Sequence, residues 1–271
     1  MISKSIIRKD IIDITRSKTL LTTLIIIPII FSVVFPLGIV GSALFFDLEK
    51  VTGNDLNMML DKFVGLMDPM VASYSVEQQI VYIFINYLLP TFFLLVPIIT
   101  AMTVAANSFV GEKERRTLES LLLSPISIKG LYLSKIIASV IPPIFVSLIS
   151  FVICGVIINA LGYPLFNTLI FPSTNWVVLI SCLSPMIILL VVLVNILISS
   201  KVKTYQEAQN IAGVIVLPIV ALIIGQISGV FLLGLELILI ISAVLLIINL
   251  IFLYRISKLN DRAALFEKQI H

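Results

Sequence analysis

GEKERRTLESLLLSPISIKGLYLSK, residues 111–135, is a burst of charge between two long apolar runs. Glu112, Lys113, Glu114, Arg115, Arg116 and Glu119 fall within eight residues, too costly a density for a bilayer interior. The stretch still has helical spacing. Leu118, Leu121 and Leu122 recur at i, i+3, i+4, and Glu112 can pair with Arg115 or Arg116 one turn on. Pro125 stops that helix and Ser127 can cap the next. The residues therefore predict a short amphipathic helix on the side of the membrane where arginines collect. A solvated loop with ordinary flanking charges is the competing reading of the same residues.

Outward from this stretch the chain is hydrocarbon-compatible. Hydrophobic residues make up 59% of the sequence and charged residues 12%, with a mean hydropathy of +1.17. These values predict an all-α polytopic membrane protein, a single transmembrane domain over residues 1–271. Cys154 and Cys182 both lie in apolar runs and imply neither a disulfide framework nor a metal site. His271 is the only histidine and stands at the last position, which removes histidine catalysis and ligation. The sequence has no GxxxxGK[ST] phosphate loop, no nucleophile–base pair, no nucleic-acid motif and no detectable internal repeat.

In residues 1–18, Ile2, Ile6, Ile7, Ile11 and Ile14 share a face, with Lys4, Arg8, Lys9, Asp10, Asp13 and Arg16 elsewhere. This predicts an interfacial helix. Residues 19–46 are too long for a signal h-region and form the first span, bent at Pro28 or Pro36. Residues 47–80 are the long acidic polar segment, extracellular by charge. Leu56, Met59, Leu60, Phe63, Val64 and Met67 give it a 3.6 period, and a flexible acidic loop is the alternative.

The second span, 80–110, is the most polar. Asn86, Thr100, Thr103 and Asn107 within it either line a substrate path or act as interhelical glue. The third span, 131–161, carries Pro142-Pro143, which should break or kink it, and Gly162-Tyr163-Pro164 should end it. Trp176 stands where an interfacial aromatic belongs, ahead of the fourth span at 177–199. The 44 residues from Ile211 to Tyr254 span about 66 Å as helix. That length suffices for two crossings and a short turn near Gly225-Gln226-Ser228-Gly229. Glu236 should lie near the outer face or a wet cavity.

Lysine and arginine counts set the expected orientation. Five lie in 1–18, five in 111–135, two in 199–209 and four in 255–271, while only Lys50 and Lys62 fall in the opposite loops. Six spans with both termini cytoplasmic follow.

The frame carried by Glu112, Glu114, Arg115, Thr117, Leu118, Glu119, Leu121, Leu122, Ser124 and Pro125, followed by LYLSK, resembles the loop between the second and third helices of ABC-2 type permeases, typically "EKERGTLE.LL.SPI" and "L..GK". Arg116 and Ser134 depart from that pattern. KTYQEAQ at 203–209 resembles a second family motif, "K.Y.EAQ", and makes Glu207 and Gln209 a second cytoplasmic site. The resemblance implies a type V exporter-like permease fold in a prokaryotic plasma membrane, with short re-entrant helices between the last two spans. It implies an exporting subunit that pairs with a second permease subunit and with a separate ABC ATPase subunit. That ATPase would bind ATP and Mg, so this chain would be no enzyme and hold no cofactor. Residues 111–130 would form the coupling helix and loop. Glu112, Glu114, Arg115, Arg116 and Glu119 would face the ATPase, and Leu118, Leu121 and Leu122 would pack against the membrane domain. An ATP-independent secondary transporter or channel, and a non-transporting membrane scaffold, are the alternative functions.

Overall fold

The computed structural model describes residues 3–45, 71, 73–115 and 128–258. The expected outer helix at Leu56–Met67, the residues from Arg116 to Ser127 and the tail after Lys258 lie outside the described residues.

Seven helices account for nearly all of the described chain: α1 (Lys4–Arg16), α2 (Lys18–Leu44), α3 (Val76–Glu114), α4 (Ile128–Phe166), α5 (Thr174–Ser199), α6 (Tyr205–Ile227) and α7 (Leu235–Lys258). Six of them, α2 to α7, are long and apolar enough to cross a membrane, and no strand occurs among the described residues. Their outward surfaces carry Ile25, Phe145, Val156, Leu217 and Leu250, each more than half exposed. Water would not tolerate so much contiguous apolar surface, whereas lipid does. The chain is a multi-pass membrane protein.

α3 is the central rod. In its most apolar window 72% of residues are buried, against 17–44% in the other five spans. α2, α4, α5 and α6 all pack on it. Ser75 and Gln78 form a capping box at its start, and the Gln78 amide donates to the Leu165 carbonyl (2.6 Å), tying that end to the end of α4. α3 runs past the expected end at Val110 and takes in Glu112–Glu114, so the charged stretch begins as a continuation of the span.

Short π-helical segments interrupt the spans at Ile30–Val34, Phe84–Leu88, Asn107–Gly111 and Leu179–Leu183. In α3 they coincide with contacts to three other helices. The Ile85 carbonyl accepts from Trp176 Nε1 (2.8 Å), the Tyr87 carbonyl from Gln226 Nε2 (3.0 Å), and the Ser108 carbonyl from Lys135 Nζ (2.7 Å). A π segment breaks the i→i−4 ladder, which leaves carbonyls free for such donors.

Two expectations are corrected here. α4 is one 39-residue helix that passes through Pro142, Pro143 and Pro164, so neither the proline pair nor Gly162-Tyr163-Pro164 ends it. Proline in a membrane helix removes single hydrogen bonds that neighbours and local adjustment make good. Trp176 is fully buried rather than interfacial, set edge-on to Phe93 and Phe171 with both centroids at 5.1 Å. The carbonyl of Ile85 satisfies its indole N–H, which is what allows the ring to be buried in the protein.

Phe171 reaches that cluster because the 167–173 loop folds back on α4. Asn159 grips it through both backbone groups, donating to its carbonyl (2.7 Å) and accepting from its N–H (3.1 Å). Gly155 makes room: a Cβ there would stand 2.5 Å from the Phe171 ring. The turn between α6 and α7, residues 228–234, uses the same device, with Phe231 against Gly225 at 2.5 Å. No separate re-entrant helix occurs between α6 and α7 in the described chain. Glu236 is exposed in the first turn of α7, where the helix dipole favours an acid.

Candidate functional site

Apart from Glu77 and Glu236, the described charges gather at one end of the bundle, where α1, the end of α3, the start of α4, the end of α5 and the start of α6 meet. α1 buries Ile6, Asp10 and Ile14 at i, i+4, i+8. The stripe that docks is therefore 6/10/14 rather than the all-isoleucine face, with a carboxylate at its centre. Ser3 N donates to Ser134 Oγ (2.8 Å), fixing the start of α1 to α4.

Asp10, Glu112 and Lys135 are the buried charged residues among those described, and they are joined. Lys135 Nζ is 2.5 Å from Glu112 Oε2 and 3.6 Å from Asp10 Oδ2, and it also donates to the Ser108 carbonyl at 2.7 Å. Ser108 Oγ donates to Asp10 Oδ2 (2.7 Å), and Lys9 bonds the other oxygen of Glu112. Two lysines and two carboxylates thus balance, with Asp13 3.7 Å from Lys9 at the solvent edge. Desolvation pushes the Asp10 carboxyl above its ordinary range, with Glu112 adding to the shift and Lys135, Ser108 and Lys9 opposing it. Burial would lower the Lys9 ammonium, but Glu112, Asp10 and Asp13 outweigh it and hold Lys9 above its ordinary value. A buried set of this kind is rigid while complete, because losing one member strands the others.

The next residues of α3 reach the opposite way. Lys113 Nζ donates to the carbonyls of Ser199 and Val202, both at 3.2 Å, closing the C-terminus of α5. Glu114 Oε2 accepts from Tyr205 N (2.9 Å) at the start of α6. That start is capped by Thr204 Oγ1, which accepts from Glu207 N at 3.2 Å, while Glu207 Oε2 accepts from Lys203 N at 3.0 Å. Gln209 Nε2 bonds Tyr205 OH (2.7 Å) and Thr103 Oγ1 (3.4 Å) on α3. The described root of the first charged motif is therefore joined to the second, through Glu114 and Tyr205, 91 residues apart. Three consecutive side chains of α3 fasten it to α1 and α4, to α5 and to α6.

Between the starts of α2 and α6 and the end of α3 lies a cavity of about 470 Å³, lined among others by Thr19, Asn107, Glu114, Arg115, Thr204 and Tyr205. Thr100 and Thr103 continue the face of Asn107 into the bundle, but both are buried, and Thr100 bonds the Val96 carbonyl (2.6 Å). Asn86 is buried nearer the opposite end and bonds the Tyr82 carbonyl (3.2 Å). Of the four polar residues expected on a path, one lines the cavity and three are packed inside.

Of the coupling residues read from the sequence, Glu112 is buried and paired with Lys9 and Lys135 inside the protein. Glu114 and Arg115 are exposed. Arg116, Leu118, Glu119, Leu121 and Leu122 lie outside the described residues. Sequence reading gave Asp10, Lys9 and Lys113 no place in a site, and it quoted Lys135 without giving it a role. The signal for Asp10 was the Ile6–Asp10–Ile14 spacing. The signal for Lys135 was a lysine placed where an apolar span has already begun. Among the described residues no group of His, Cys, Asp and Glu is arranged to hold a metal ion.

The chain matches the family described as ABC-2 family transporter protein over residues 4–256. No curated protein and no solved structure matches it. The match covers every span and the whole described part of this end, from α1 to the last turns of α7, and the chain belongs to the ABC-2 family of membrane transport permeases.

Proposed function

We propose that an ATP-hydrolysing partner drives this permease through the end that holds Lys135, and that this end faces the cytoplasm. The observation that supports the reading is the ionic joint of Lys135, Glu112, Asp10 and Lys9, which fastens the root of the coupling stretch to three helices at once. Force applied to residues beyond Arg115 would reach α3, α4 and α1 together instead of dissipating in a loose loop. Arg116 and Glu119 would contact the ATPase, Leu118, Leu121 and Leu122 would stiffen the stretch, and Glu112 and Glu114 would anchor it. A second permease subunit would complete the transporter, with export as the direction. ATP and Mg would be held by the ATPase chain. Glu207 and Gln209 would carry the motion into α6.

The test is co-purification and ATPase stimulation in reconstituted vesicles. Wild-type permease should bring down an ATP-hydrolysing chain. The double reversal Arg116→Glu/Glu119→Lys should weaken that association about tenfold, the effect of about 1.4 kcal/mol of lost complementarity. If no ATP-hydrolysing chain accompanies the wild type, the ATPase-coupled reading fails. If the double reversal leaves both readouts unchanged, the role of this stretch fails. A cysteine at Lys201 shielded from an impermeant reagent in intact cells, with one at Glu236 labelled, is the expected orientation, and the reverse pattern would overturn it.

A further inference from the structure

The cavity at the coupling end has the chemistry of a lipid headgroup site. It lies where α2 begins, α3 ends and α6 begins, at the end of the bundle where the charges gather. Its volume of about 470 Å³ falls in the ordinary range for small-ligand pockets. Two of its lining residues are charged, Glu114 and Arg115, so its net charge is zero. A free anion would meet the carboxylate and a free cation the guanidinium, whereas a zwitterion satisfies both. One oxygen of Glu114 is engaged by Tyr205 N (2.9 Å), leaving the other as an acceptor among the described residues. Arg115 is exposed and offers the planar fork that suits phosphate. Asn107 and Thr19 are further polar residues of the lining.

Directly inward, the lining becomes apolar. Leu20, Leu24 and Val104 form a buried cluster with Tyr205 packed against it. α2 and α6 each pack on α3 but have little contact with one another. Their exposed surfaces carry Ile25 (53%) and Val214 (60%), suited to an acyl chain.

We propose that this cavity binds a membrane phospholipid with a primary-amine zwitterionic headgroup, phosphoethanolamine, its phosphate on Arg115 and its ammonium on Glu114. A quaternary choline lacks the N–H that Glu114 would accept, and a glycerol headgroup lacks the positive charge. This assignment is independent of how the permease is driven, and its test uses no ATPase.

Permease purified in mild detergent is given phosphatidylethanolamine, phosphatidylcholine or phosphatidylglycerol in turn. Lipid retained per chain is counted by native mass spectrometry, with thermal protection as a second readout. Phosphatidylethanolamine should be retained above the other two. Arg115→Gln should reduce its retention about tenfold, the effect of one lost charge-assisted contact. Thr19→Trp should abolish retention by filling the space. Glu114→Gln keeps an acceptor for Tyr205 N and should erase the preference over phosphatidylcholine. Thr19, Glu114 and Arg115 are all exposed, so these variants should fold.

Three outcomes would overturn the proposal. One is equal retention of all three lipids by the wild type. The second is an equal loss from Lys201→Gln/Lys203→Gln, at exposed lysines that do not line the cavity, which would mean diffuse attraction. The third is full protection by soluble phosphoethanolamine, which would make the ligand a free metabolite and not a lipid.

Discussion

Replacing Lys135 by methionine keeps most of the side chain's bulk and removes its charge. The ammonium stands 2.5 Å from Glu112, 3.6 Å from Asp10 and 2.7 Å from the Ser108 carbonyl, and the side chain is 1% exposed. Without it, two carboxylates that are 8% and 3% exposed share Lys9, which is 40% exposed and therefore a weak, screened partner. Breaking a buried pair on one side typically costs about 3–5 kcal/mol, mostly for the stranded charge. The triple variant Lys135→Met/Glu112→Gln/Asp10→Asn removes the stranded charges too, and it should recover most of that loss. Denaturant titration of the detergent-solubilised protein, followed by tryptophan fluorescence, measures both, since Trp176 is the only tryptophan. A single-variant loss below about 1 kcal/mol, the level of an exposed pair, would show that Lys135 is not a buried ionic partner. So would a triple variant no more stable than the single one.

Three further outcomes are expected. Burial raises the Asp10 carboxyl in the folded chain above its ordinary 3.8, so its protonated form is the one folding favours. The wild type should therefore lose stability relative to Asp10→Asn as pH rises from about 3.8 through the raised value, and the difference should be flat at pH below about 3.8. Melting curves across pH would show this, and the opposite slope would refute it. Gly155→Ala puts a methyl 2.5 Å from the Phe171 ring and should destabilise by about 1–3 kcal/mol, with Phe171→Leu relieving it in the double variant; additive losses in a denaturant cycle would contradict the contact. Gln226→Leu removes the 2.6 Å acceptor of the Thr91 hydroxyl and the 3.0 Å donor to the Tyr87 carbonyl, and should cost about 1 kcal/mol by the same titration, with no change counting against a structural role for these interhelical bonds.

The six spans and the end where charge collects were legible because hydrophobic length and lysine-arginine bias act residue by residue. What escaped was decided by pairing. Asp10 reads as a surface residue on an amphipathic helix until Lys135, 125 positions away, is placed against it, and no periodicity reports that. Trp176 was misplaced for the same reason. Whether an indole stays at an interface or enters the core depends on a free carbonyl, and the carbonyl of Ile85 is supplied by an irregularity in α3. The prolines of α4 misled because their helix-breaking strength is calibrated on chains in water. The two charged motifs were seen separately, and the bond that joins Glu114 of the first to Tyr205 of the second is again a tertiary fact.

The π segments of α3 bear on how this rod tolerates changes in length. A π segment is in effect an α-helix with one residue too many. Removing one residue from an unbroken α-helix would turn everything beyond it by about 100°. Removing one from 84–88 would instead convert the irregular turn to a regular one and leave both flanks facing their present neighbours. The penalty would be local, confined to the donors of Trp176 and Gln226 that now find carbonyls there. The same holds at 107–111, where the donor is Lys135. Relatives of this chain that differ by a single residue in the second span should carry the deletion at one of these two places, and should lack the side chain that the missing turn would have served.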